Sequence, residues 1–207
     1  MTTHTSANYS TQEVAANLRT IGLPPDWDVE TNLLVVLIYR ELAKGSPLSL
    51  ATVDGLIAEA GVEPEVGKEF INSVSEKDDD GNVVGAIGLS QNQYAHKFRV
   101  NEVDLTTWCA WDTLFIAPAL GQTASVTSQA PGSGDEIELE ISPTGAVANP
   151  PEAVVSFVLL DPDQIDMDSL ESVYMVFCHQ IHFSPSREAA IKWSADSEYE
   201  FAILTVD

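Results

Sequence analysis

The sequence holds two cysteines, Cys109 and Cys178, and an aspartate, Asp112, three positions after the first. A thiolate is both a nucleophile and a ligand for soft metals. A carboxyl group turned into an apolar core keeps its proton near neutral pH and becomes a general acid. Cys109 and Asp112 on one helix therefore combine a soft-metal ligand with a proton donor. A thiol protease would need a histidine base in the place of the aspartate. On residue types alone, the two thiols also fit unrelated buried cysteines packed as small hydrophobes.

The element expected to position them is a helix over Leu105–Ile116, capped by Asp104, with Leu105, Trp108, Cys109, Asp112, Phe115 and Ile116 on one face. That frame puts Cys109 in the second turn, where the positive end of the helix favours the thiolate. The cation nearest to Asp112 in sequence is Arg99, so the carboxyl is either protonated or bonded to backbone amides and hydroxyls. The second cysteine lies in a run, Tyr174–Phe183, that reads as extended. As a strand it places Cys178, Gln180 and His182 on one face and Phe177, His179, Ile181 and Phe183 on the other. Zinc on two Cys and two His is a weak alternative, because no CxxC pair is present and His179 points away from Cys178.

The rest of the chain reads as α+β. Residues 1–30 form a polar extension with a short helix at Thr11–Ile21. Residues 31–89 form a winged-helix-like domain: helices over 31–44, Leu50–Glu59 and Pro64 to about Ser75, an Asp78–Gly81 turn, then a strand, Val83–Leu89. Residues 90–207 form a core with a mostly antiparallel sheet and flanking helices. Its strands are His96–Val100, a hairpin of Thr123–Thr127 with Glu136–Ile141, Val154–Leu160 and Tyr199–Val206; a helix capped by Ser186 runs to Trp193, and the acidic loop Asp161–Ser172 is exposed.

Composition narrows the function. Of 207 residues, 44% are hydrophobic, enough for a real core. No apolar run is long enough to span a bilayer, and Met1–Ser10 lacks the features of a secretory leader, so a cytoplasmic location is expected. With 32 acidic and 9 basic residues the formal net charge is −23. Such a surface repels nucleic acid and anionic membranes and suits a halophilic cytosol. In a winged helix the third helix would meet DNA, yet it carries Lys68 against Glu63, Glu65 and Glu69, and the wing carries Asp78-Asp79-Asp80; DNA binding and metal-sensing regulation are disfavoured.

Two segments carry a family resemblance. Trp108-Cys109-Ala110-Trp111-Asp112-Thr113-Leu114-Phe115 resembles the catalytic-helix motif of the organomercurial (alkylmercury) lyases, and Phe177-Cys178-His179-Gln180-Ile181-His182-Phe183 resembles their second cysteine segment. Leu89-Ser90, His96 and Phe98 also match the pattern, and the likeness extends over roughly residues 30–206. It implies a mercury-detoxifying enzyme in which Cys109 and Cys178 bind mercury as substrate and product and Asp112 shuttles the proton. Trp108, Trp111 and Phe177 are candidate walls for the organic group. The implied partners are small organomercurials and a mercury(II) acceptor, either cellular thiols or a mercuric reductase; no resident cofactor is implied. Two departures stand out: Ala130 occupies a hairpin turn where some members have a third cysteine, and the chain stops at Asp207 where members continue. The alternative is a non-catalytic binder of mercury or copper on the same fold.

Overall fold

The computed structural model describes residues 9–206; the first eight residues, which include most of the stretch read for a leader, lie outside it. Helix α1 spans Thr11–Thr20, with Ser10 and Glu13 closing a reciprocal cap. Asp28 caps α2 (Val29–Leu42), Ser49 caps α3 (Leu50–Ala60), and Pro64 opens α4 (Pro64–Val74). These four agree with the sequence reading to within about two residues.

Strands β1 (Ser75–Lys77), β2 (Val83–Ala86), β3 (Leu89–Ser90), β4 (His96–Val100), β5 (Val103–Thr107), β6 (Ala124–Gln129), β7 (Glu136–Ser142) and β8 (Gly145–Asn149) form one antiparallel sheet. Its order is β1-β2-β3-β5-β4-β6-β7-β8. The hairpin strands that follow α4 are thus one edge of the main sheet, and residue 89 lies inside β3. A second sheet places β9 (Val154–Leu159) between β10 (His182–Ser184) and β11 (Glu200–Thr205). Helix α5 (Ala110–Leu120) and α7 (Arg187–Ser194) complete the layers, with a short α6 (Leu170–Ser172) between β9 and β10. One contiguous apolar core runs from Val14 to Ala202.

Three readings are corrected. The expected helix from Leu105 is a strand followed by a later helix. Asp104 caps nothing; it pairs across the hairpin with Arg99, and their side chains form an exposed ion pair. Asn101 and Glu102, both at positive φ, join β4 to β5 in a tight two-residue turn, and the β-branched Thr106 and Thr107 suit the strand. The helix then runs through Pro118 to a left-handed Gly121. Second, Tyr174–Phe183 is not a strand. Helix α6 widens into a π turn over Val173–Phe177 and tightens into a 3-10 turn over Cys178–Gln180; only His182 onward is extended. The expected two faces therefore do not exist. Third, the loop Asp161–Ser172 is not wholly exposed: it contains a 3-10 turn and buries Ile165. Strand β8 was not anticipated.

Candidate active site

Strand β5 delivers the chain into the core, and the bend after it makes the site. The Trp108 amide donates to Gly88 O at 2.9 Å, and Thr107 Oγ1 donates to Cys109 O at 2.9 Å. Cys109 has extended backbone angles and stands at the N-cap of α5, not in its second turn. Asp112 is the third helical residue, and its Oδ2 accepts the Cys109 amide at 2.8 Å. A capping box, in which the carboxyl reaches back to the cap, thus fixes the distance between thiol and acid.

Cys178 comes from the other side. It closes the π turn, with its amide directed at the carbonyls of Val173 and Tyr174. The Ala110 amide donates to Ile181 O at 3.3 Å, tying the first turn of α5 to this segment. The ligand atoms of Cys109, Asp112 and Cys178 all lie within 4.8 Å of one another, and all three residues are buried. Among the described residues this is the one group of three or more Cys, His, Asp or Glu compact enough to hold a metal ion. It contains no histidine. His96 is buried with Nδ1 on Ser128 Oγ at 2.8 Å, His182 Nε2 meets His179 O at 2.9 Å, and His179 stacks on Tyr174.

Burial sets the electrostatics. Asp112 is pushed up to about 7, because desolvation outweighs its hydrogen bonds to Cys109. Burial also raises the Cys109 thiol well above its usual range, aided by its contact with Cys178 and the nearby Asp112 charge. The backbone amide of Asp112 pulls the other way and loses. The thiolate expected from helix position is thus a thiol in the resting protein. Both readings of Asp112 are realised together, since it carries a raised pKa and bonds to a backbone amide.

Several residues at the site gave no signal in the sequence. Tyr39 is fully buried on α2, close enough to feel the Asp112 charge, and donates to Ile87 O at 2.6 Å. Ile87 and Gly88 form the turn between β2 and β3, both at positive φ. A Cβ on Gly88 would stand 2.5 Å from Asp112 Cγ, so the missing side chain is what lets Asp112 fit. Glu76 accepts from the Trp108 indole N–H. Of the candidate pocket walls, Trp108 lines a cleft of about 360 Å³ together with Glu76, Tyr94, Leu170, Glu171 and Tyr174. Trp111 and Phe177 pack on each other at 5.8 Å between ring centroids, and Trp111 also meets Phe115 and Phe157. Ala130 is buried in the hairpin loop between β6 and β7.

Comparison with known proteins bears directly on this arrangement. Residues 89–207 match the family model described as MerB: Alkylmercury lyase. The alkylmercury lyase of Staphylococcus epidermidis is 33% identical over 173 residues, covering 82% of this chain and 74% of the relative. That of Pseudomonas putida is 32% identical over 169 residues, covering 78% and 73%. A solved structure described as the mercury-bound form of MerB2 shares the fold, with a TM-score of 0.68 at 20% identity over 95% of this chain and 93% of that one. Sequence and fold agree over most of their lengths, and the chain belongs to the alkylmercury lyase family.

Proposed function

We propose that this protein is an alkylmercury lyase that cleaves R–Hg–X to R–H and mercury(II), with Cys109, Cys178 and Asp112 as its working groups. The observation that carries this reading is the meeting of two thiols and a high-pKa carboxyl within one buried cluster.

A carbon–mercury bond resists water, so the site must make the carbon basic. One thiol displaces X from mercury, and its proton leaves with X. The second thiol then binds mercury and passes its proton to the Asp112 carboxylate. Two sulfurs donating into mercury push electron density onto the carbon. Asp112 returns the proton, the carbon–mercury bond breaks with its electron pair on carbon, and R–H departs. Mercury(II) stays on the two sulfurs until an acceptor thiol or a mercuric reductase removes it. The capping box keeps acid and thiol in place throughout, which converts proton transfer into a local step. The mechanism calls on no resident cofactor.

A cytoplasmic location and a lack of nucleic-acid partners belong to the same proposal. They rest on the charge of −23 and on the lack of any helix long and apolar enough to cross a membrane among the described residues. The winged-helix-like reading of residues 31–89 is supported by the order α2, α3, α4, β1, β2 and by the bridge between Leu48 and Val83. The test is incubation with phenylmercury and gas chromatography of the headspace. Stoichiometric benzene with mercury(II) retained on the protein is expected. Binding of phenylmercury without benzene, under any salt condition that keeps the chain folded, would replace the lyase with a passive binder of mercury or copper.

A further inference from the structure

The cleft beside the thiols has a floor that the chemistry above does not use. Trp108, one residue before Cys109, forms one wall, and Tyr174, four residues before Cys178, forms another. Tyr94 and Tyr174 meet edge to face at 5.5 Å. Tyr174 is also tied to Cys178 through the backbone, since its carbonyl receives the Cys178 amide at the end of the π turn. The cleft walls are thus carried by the same two segments that carry Cys109 and Cys178.

Glu76 lies at the base of these walls. Its Oε2 accepts from Ser90 Oγ at 2.6 Å and from Asn92 Nδ2 at 2.8 Å, while Oε1 accepts from Tyr94 OH and the Trp108 indole N–H, both at 2.5 Å. Four neutral donors fix the carboxylate, and none cancels its charge. Among the described residues no ion pair involves Glu76. Exposed Glu171 adds a second negative group at the rim. Aromatic faces above an unneutralised carboxylate accept neutral or cationic groups and repel anions.

We propose that this cleft receives the organic substituent of the substrate, and that Glu76 is a positioning and specificity-determining residue that holds Trp108 and Tyr94 in place and excludes substituents bearing a negative charge. The proposal rests on the lyase reading. Glu76 touches the walls and acts through them, so its signature is a ratio between substrates and not the rate on any one.

The test compares kcat/KM for phenylmercury and for 4-carboxyphenylmercury, which differ by one carboxylate remote from mercury. The purified full chain is expected to favour phenylmercury by at least about tenfold, the factor given by roughly 1.4 kcal/mol of repulsion between two carboxylates. Raising salt should shrink that ratio. Glu76→Gln should narrow it severalfold, mainly through KM for the carboxylated substrate, while Glu171→Gln, out in solvent, should narrow it less. If the wild type treats both substrates alike, or if Glu76→Gln slows both by the same factor, the proposal is overturned. Should Glu76→Gln fail to fold, the wild-type ratio and its salt dependence still decide. Absence of benzene from the wild type would instead overturn the lyase reading, and the cleft assignment with it.

Discussion

Asp112 has two consequences that can be separated by pH. Its carboxyl titrates near 7 in the folded chain against an ordinary value of 3.8. The folded state therefore holds this proton more tightly than the unfolded state. Its contribution to stability is complete below about pH 4, is lost as pH rises toward 7, and becomes a constant penalty above that. Asp112→Asn keeps an oxygen to accept the Cys109 amide and removes the ionisation. The variant is expected to be more stable than the wild type above pH 7, by up to about 4 kcal/mol, with the gap closing below pH 4; thermal melts of both proteins across pH measure it. The same substitution should lower hydrocarbon release by at least about 10²-fold, the loss typical of a general acid, while mercury compounds still bind through the first thiol. The pH profile of kcat/KM gives a second check. In the proposed mechanism the free enzyme uses an ionised Asp112 to take the second thiol's proton, so the rate is expected to climb with pH up to about 7. It should fall again only in the alkaline range where the raised Cys109 thiol ionises without passing a proton to Asp112. A rate that falls as pH rises from 6 to 8 would contradict this order of proton transfers.

The elements decide whether these residues meet, and the turn between β2 and β3 is the most exacting. Gly88 combines a φ of +93° with the closest approach to Asp112. Gly88→Ala forces either the carboxyl or the turn to move, and a shift of the acid relative to the thiols is costly to rate. Gly81 has a similar φ of +81° with open space around it. Gly81→Ala should therefore cost only backbone strain, about 1 kcal/mol, and leave turnover unchanged, whereas Gly88→Ala should lose stability and most of the activity together. Equal effects in the two variants, measured by denaturation and benzene release, would mean that the turn does not support the acid. The residue pattern carried the site further than it carried these elements. A Cys-x-x-Asp spacing brings thiol and carboxyl together whether the helix begins at Leu105 or at Ala110, so the pair survived a wrong helix start. Leu105, Trp108 and Asp112 match helical spacing and Asp104 resembles a cap, so the sequence imitates an earlier helix start. The true turn, Asn101-Glu102, lacks the glycine that usually marks such hairpins. Val173–Phe177 is β-prone in composition yet forms a π turn that ends at Cys178, a conformation no local pattern marks. The approach of Cys178 was implied by family resemblance and not by any spacing. Tyr39, Gly88 and Glu76 come from distant segments, and no local pattern marks them.

At the scale of the whole molecule the dominant quantity is charge. A net −23 on 207 residues repels itself, and the described ion pairs are four contacts near the surface that offset little of it. The repulsion is also organised locally. Strand β7 alternates buried and exposed positions, which sends Ile137, Leu139 and Ile141 inward and Glu136, Glu138 and Glu140 outward along one face. Their partners on β6 are Gln129, Thr127 and Ser125, so no cation faces them across that pair. Salt acts on this field directly, because the screening length falls from about 10 Å at 0.1 M to about 3 Å at 1 M. The melting temperature is therefore expected to rise steeply with KCl from 0.1 to 1 M and then to level off. A non-electrolyte at matched osmolarity should give a smaller gain, which separates screening from the general strengthening of apolar burial by excluded solutes. Glu138→Gln, in the middle of the acidic row, should stabilise the protein at low salt by no more than about 0.5 kcal/mol and should lose that advantage at high salt. A flat response here, with Glu138→Gln neutral at every salt concentration, would sever the acidic composition from any adaptation to salt.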